Sequence, residues 1–128
     1  MSEVREKLIQ AGLSPTQQRL IIGRYVLVDT GHFTADGVLE MVKSDDFNVS
    51  RATVYTTLSV FVERGLLTEV IIDQGKVIYD ANTEPHYYVV DSSTGEVRDV
   101  DPNDVFIENL PQVINGKPVA DIQIVFKV

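Results

Sequence analysis

Apolar residues recur at helical spacing through the first half of the chain and at strand spacing through the second. Glu3 to Ala11 predicts a short helix ended by Gly12, and Ser14-Pro15-Thr16 supplies start chemistry for a longer helix through about Val28, stopped by Asp29-Thr30-Gly31. Thr34 is the expected N-cap of a third helix. Its Ala35, Val38, Leu39 and Val42 fall at i, i+3, i+4 and i+7, which makes one buried stripe, and Asp45-Asp46 closes it. Ser50 caps a fourth helix in which Val54, Leu58, Phe61 and Val62 face the core at i, i+4, i+7 and i+8, and Gly65 ends it.

Beyond Gly65 the pattern changes. Leu67 to Ile72 and Lys76 to Asp80 flank Asp73-Gln74-Gly75 and predict a β-hairpin. Helices followed by such a hairpin imply a winged helix over 1–81. Asn82 to Pro85 then reads as a hinge. His86 to Val90 and Glu96 to Val100 predict two strands joined by Asp91 to Gly95. Asp101 is placed to cap a short helix from Pro102 to about Leu110, stopped by Pro111. A final strand is expected within Val119 to Val128, with Ala120, Ile122, Ile124, Phe126 and Val128 alternating toward one buried face. The fold class is therefore α+β: an N-terminal winged helix-turn-helix domain and a small α/β unit over 86–128. A unit of about 45 residues is small to stand alone, so burial against a second copy, a homodimer, is expected.

Composition narrows the chemistry. The 128 residues are 44% hydrophobic, enough for a core. No apolar run approaches the roughly 20 residues that span a bilayer, and Met1-Ser2-Glu3-Val4-Arg5-Glu6-Lys7 is charged and amphipathic rather than a signal peptide, so a cytoplasmic protein without membrane contact is expected. The absence of cysteine excludes disulfides, zinc-thiolate sites and thiol catalysis. A metal would have to be held by nitrogen and oxygen. The net charge of −8 opposes nucleic-acid binding, since Lys and Arg supply its nonspecific part. The acids are unevenly placed, however: Met1 to Asp80 has eight basic and eleven acidic residues, Ala81 to Val128 three and eight. Arg19, Arg24 and Arg51 make a usable patch if the fold gathers them.

A helix entering the major groove of double-stranded DNA needs a buried stripe behind and hydrogen-bonding side chains in front, near its N-terminus. The helix from Ser50 has both. Arg51 suits phosphate or guanine, Tyr55 a thymine methyl, and Thr53 and Thr56 either a hydroxyl or a methyl contact. The same periodicity also describes an ordinary amphipathic helix with a solvated face.

Particular motifs favour the first of these. Gly12-Leu13-Ser14-Pro15-Thr16-Gln17-Gln18-Arg19, His32-Phe33-Thr34-Ala35-Asp36, Ser50-Arg51-Ala52-Thr53-Val54-Tyr55-Thr56-Thr57-Leu58 and Gly65-Leu66-Leu67 resemble the ferric uptake regulator family in order and spacing, over nearly the whole chain. The tail, with Ile107-Glu108-Asn109-Leu110-Pro111 and Val119-Ala120-Asp121-Ile122, looks most like the iron response regulator branch. The resemblance implies a winged helix plus a dimerisation domain, in dimers that bind AT-rich inverted repeats. It also implies phosphate contacts from Arg19 and Arg51 and base reading by Tyr55, with Thr53 less firmly assigned. Ser14 and Thr56 depart from basic residues common in relatives, which lowers the expected affinity.

The family's regulatory metal ligands map onto His32, Asp80, His86, Tyr88 and Asp99. Two imidazoles and two carboxylates suit Fe(II), Mn(II) or Zn(II), and a set spanning the hinge would fix domain orientation on binding. Tyr88 replaces a histidine of the family pattern, and hydrogen bonding is the alternative role for His86. Both histidines of the chain fall on ligand positions. Haem at His86-Tyr87-Tyr88 ranks below a simple divalent ion. Asp91-Ser92-Ser93-Thr94 stands where relatives carry Cys-x-x-Cys, so the structural zinc is not expected.

The leading function is a homodimeric, metal- or iron-responsive repressor. A second is a winged-helix protein-interaction module that has lost strong DNA affinity. An enzyme with a small-molecule substrate is not expected: no nucleophile-base pair, phosphate loop or paired catalytic carboxylates appear at useful spacing, and Gly75 and Gly95 are turn glycines.

Overall fold

Three helices of the first unit begin where a hydroxyl accepts an otherwise unpaired backbone N–H. The computed structural model describes residues 2–28, 31–73 and 75–128. Met1, the expected helix stop at Asp29-Thr30 and Gln74 of the expected turn thus lie outside the described residues. The chain divides into two units, Met1–Thr83 and Glu84–Val128. No helix among the described residues is long and apolar enough to cross a membrane.

In the first unit, α1 spans Ser2–Gln10 and α2 spans Gln17–Val26 behind its cap Thr16. Thr34 caps α3, Ala35–Ser44, and Ser50 caps α4, Arg51–Glu63, each accepting from the backbone N–H three residues on. Carbonyls at the helix ends are satisfied from afar. Arg64 Nη1 donates to Ala11 O at 3.1 Å after α1, and Lys7 Nζ to Leu27 O at 2.5 Å after α2. Leu8, Ile22, Val26, Val38, Val42, Val54, Leu58 and Phe61 are fully buried and hold the helices together. Val62, expected among them, is half-buried, and Thr57 is buried in its stead. The stripe of α4 runs 54, 57, 58, 61, so helical position outranks side-chain type.

Gly23 lies on the face of α2 that packs tightly on Val4 of α1. A Cβ there would lie 2.6 Å from Val4 Cγ1 and 3.3 Å from Leu27 Cδ1. Val4 is buried and β-branched, so it has no other rotamer to retreat to. Gly23→Ala is therefore expected to lose roughly 1–3 kcal/mol in urea unfolding, although alanine is the better helix former. An equal or higher stability would mean that α1 shifts freely.

After α4, β2 (Thr68–Asp73) and β3 (Lys76–Asp80) form the antiparallel wing. A two-residue strand, β1 (His32–Phe33), pairs with the other edge of β3, giving the order β1-β3-β2. It places His32 opposite Asp80 and Phe33 opposite Tyr79. Two residues are too few to show a period, so β1 has no sequence signature.

In the second unit, β4 (Tyr87–Val90) pairs antiparallel with β5 (Val97–Val100) and parallel with β8 (Val125–Lys127), in the order β5-β4-β8. The unforeseen hairpin of β6 (Val113–Ile114) and β7 (Lys117–Pro118) turns through Asn115 and Gly116, whose φ values of 52° and 76° are those an Asn-Gly turn adopts.

Two expectations are corrected. The helix from Pro102 to about Leu110 is only a 3-10 turn, Pro102–Asp104. Asp101 does cap it, accepting from Asn103 N at 2.8 Å, but the backbone is extended by Val105. Half-buried Val105 and Ile107 alternate there with exposed Phe106 and Glu108, a period of two, and Asn109 is left-handed at φ 60°. The final strand is also shorter than expected, and Ala120, Ile122, Phe126 and Val128 are exposed. Among the described residues of this unit only Tyr88 and Val90 are buried, so the unit has little core of its own to cover that face.

Candidate nucleic-acid interface and metal centre

The Ser50 cap orients the first turn of α4. Its Oγ accepts from Thr53 N at 3.1 Å and donates to Thr53 Oγ1 at 2.9 Å. That engages the Thr53 hydroxyl and leaves Arg51, Tyr55 and Thr56 as the exposed residues of the predicted set. Tyr55, 43% exposed, stands out from a helix whose far side is core. Two grooves flank α4. One, of about 360 Å³, lies between α2 and α4 and is lined by Thr16, Arg19, Thr53 and Thr56. The other, of about 350 Å³, lies toward the wing and is lined by Asp36, Tyr55, Lys76 and Tyr79. Burial first, then Glu69 and Tyr55, raise the Tyr79 pKa, so this groove presents a neutral phenol.

The three expected cations have separate partners. Arg19 Nη1 donates to Ser14 O at 3.0 Å, which gives Ser14 a backbone role in place of the missing basic side chain. Arg24 lies over the Phe47 ring, 5.7 Å from its centroid. Arg51 is hydrogen-bonded and ion-paired to Asp36, an interaction that raises its already high pKa. Asp36 ends the His32-Phe33-Thr34-Ala35-Asp36 motif, yet nothing in its spacing from Arg51 signals the contact, which requires α3 and α4 to bring their first turns together.

Each unit carries one half of the expected ligand set. In the first, β1–β3 pairing holds His32 Nε2 at 3.4 Å from Asp80 Oδ2. Asp80 is 1% exposed, and its Oδ1 accepts from Asn82 N at 2.9 Å. In the second, His86 Nε2 lies 3.1 Å from Asp99 Oδ1. Its other ring nitrogen, Nδ1, donates to Glu84 O at 2.7 Å. A carbonyl only accepts, so Nδ1 carries a proton and Nε2 is the nitrogen turned to the carboxylate. This is how a metal-binding histidine is usually oriented. Bonds of 2.0–2.2 Å to one ion would put adjacent ligand atoms about 3.0–3.5 Å apart, the spacing found within each pair. The residues therefore fit a divalent ion. Tyr88 is buried and opposite Asp99 in register, with its ring centroid 4.6 Å from that of His86. His86 itself immediately precedes β4 rather than starting it.

The family model for the ferric uptake regulator family matches residues 10–124. The chain belongs to that family. It is 34% identical over 99 residues to the peroxide-responsive repressor of Staphylococcus aureus, a match covering 77% of this chain and 67% of the relative. Among solved structures it is similar to the ferric uptake regulator from Pseudomonas aeruginosa with manganese, with TM-score 0.74, 25% identity, and coverage of 98% and 96% of the two chains. It also shares the fold of the Francisella tularensis ferric uptake regulator with iron, with TM-score 0.76, 23% identity and 91% of each chain covered. The chain is thus a metal-responsive, DNA-binding transcriptional regulator, and the protein-interaction module is not favoured.

Where relatives were expected to carry Cys-x-x-Cys, the turn is closed by its own side chains. Asp91 Oδ1 accepts from Ser93 N at 2.9 Å and Ser93 Oγ at 2.6 Å, and Gly95 N donates to Asp91 O at 2.7 Å. The Ser93 hydroxyl, then its amide, hold the Asp91 carboxyl below the usual carboxylate range.

Proposed function

We propose that this chain is a cytoplasmic homodimeric repressor that places α4 in the major groove of AT-rich inverted repeats and responds to a divalent ion. The observation that carries the reading is the outward face of α4, where Tyr55 lines the wing-side groove and Thr56 the groove toward α2, while Val54, Leu58 and Phe61 anchor the other side. Residues 1–81 serve as the DNA-binding domain, 82–85 as a hinge and 86–128 as the dimerisation and metal-sensing domain. Tyr55 reads a base, Arg19 and Arg51 meet phosphates, and Thr56 adds a groove contact, with Thr53 held by the cap. The exposed Phe106, Val113, Ile114 and Val128 support burial of the second unit against a second copy.

His32 and Asp80 of the first unit and His86 and Asp99 of the second are the side chains that would hold the ion. A bound ion would supply charge and fixed coordination that could favour one domain orientation, while the carbonyl of Glu84 and the amide of Asn82 keep the His86 and Asp80 side chains aimed. Tyr88 contributes ring packing on His86. Fe(II), Mn(II) and Zn(II) all suit these donors. The tail motifs support the iron response regulator branch, whereas the curated relative is peroxide-responsive.

Titration of labelled AT-rich inverted-repeat DNA at low salt, with and without Fe(II), Mn(II) and haem, tests the reading. Saturable binding modulated by an ion is expected. Absence of binding in every condition overturns it. Tyr55→Ala is expected to cost roughly 1–3 kcal/mol at thymine-containing sites. Unchanged affinity would remove Tyr55 from base reading.

A further inference from the structure

Arg51 is the one basic residue in the thirteen-residue sequence of α4. Its guanidinium is paired with Asp36 in the first turn of α3, and both side chains face solvent, at 63% and 65% exposure. A buried pair would be trapped by desolvation, but an exposed one exchanges partners readily. Asp36 also lines the groove shared by Tyr55, Lys76 and Tyr79, so its carboxylate stands beside the residues expected to approach DNA.

Resting on the DNA-binding reading above, we propose that Asp36 sets the electrostatic share of DNA affinity by competing with a DNA phosphate for Arg51. Free in solution, the Arg51–Asp36 pair is neutral. On DNA, the guanidinium must leave a carboxylate for a phosphate, and the released carboxylate then repels the same backbone. The net local charge offered to DNA is close to zero, which counters the usual contribution of a groove-facing arginine. This acts alongside the absent basic groups at positions 14 and 56 and gives Asp36 a definite role beside α4.

Asp36→Asn removes the charge and keeps the shape. On an AT-rich inverted-repeat duplex with Mn(II), the variant is expected to bind about three- to tenfold more tightly at low salt, with the slope of log affinity against log salt steeper by about 0.9. Phosphates carry no sequence, so a random duplex of equal length should gain by the same factor. In an Arg51→Ala background the gain should vanish.

Each other result overturns the inference in its own way. Unchanged or weaker binding by Asp36→Asn means that Asp36 orients Arg51 rather than competing for it. A gain confined to the inverted repeat means that Arg51 reads a base. A gain that persists without Arg51 means that Asp36 acts by repulsion alone. If the unaltered chain binds neither duplex, the DNA-binding reading fails and takes the inference with it. If it binds and only Asp36→Asn misbehaves, the inference fails alone.

Discussion

Alanine at Phe61 is expected to remove roughly 3–5 kcal/mol of stability, read as a lower urea midpoint, a large part of the 5–15 kcal/mol typical of a domain. Phe61 has no exposed surface and is the largest of the fully buried side chains. It sits in the stripe that ties α4 to the other helices, and Leu66 N returns to its carbonyl at 2.8 Å as the chain leaves for the wing. Its loss empties a cavity at the point where the recognition helix is anchored. DNA affinity should fall with stability, because a helix that rocks on its support presents Tyr55 in many poses. Val62→Ala, one position on and half-buried, is the control and should cost under about 1 kcal/mol. Equal losses at the two positions would contradict the packing of α4 described above.

His86→Ala and His32→Ala should each abolish the ion dependence of DNA binding and weaken Mn(II) binding by more than about 100-fold, a larger penalty than loss of an outer-sphere partner. The expectation rests on the 3.1 Å and 3.4 Å spacings of their Nε2 atoms from Asp99 and Asp80. Calorimetric titration of Mn(II) separates ion binding from its effect on DNA. Tyr88→Phe preserves the ring against His86 and should retain the ion. Stoichiometric Mn(II) binding by the His32→Ala, His86→Ala double variant would place the ligands elsewhere.

The legible parts of this chain are those written locally. Thr34 and Ser50 announce their helices because a cap needs only a hydroxyl and three following residues. The stripe of α3 is a matter of period, and so is the wing hairpin. What escapes is whatever depends on distant pairing. β1, which pairs His32 with Asp80, is too short to recognise, so only the family resemblance joined those two, and Asp36 meets Arg51 through the junction of two helices, which nothing local announces. The second unit is read less well for a related reason. Its apolar residues alternate as strands do, yet few are buried in the protomer, so pattern and burial part company at Phe126 and Val128. Asn115-Gly116 is a readable turn, but the two-residue strands beside it are too short to show the period that would mark a hairpin.

The Asp91–Ser93 turn bears on how this protein can be interrogated. A loop fastened by thiolates and zinc would come apart under a chelator or an oxidant, and the damage would be mistaken for signalling. A loop fastened by a carboxylate, a hydroxyl and an amide is indifferent to both reagents. Stripping ions from this chain therefore interrogates the sensor while leaving that part of the scaffold whole, which makes reversible depletion and reloading a clean assay of its switching.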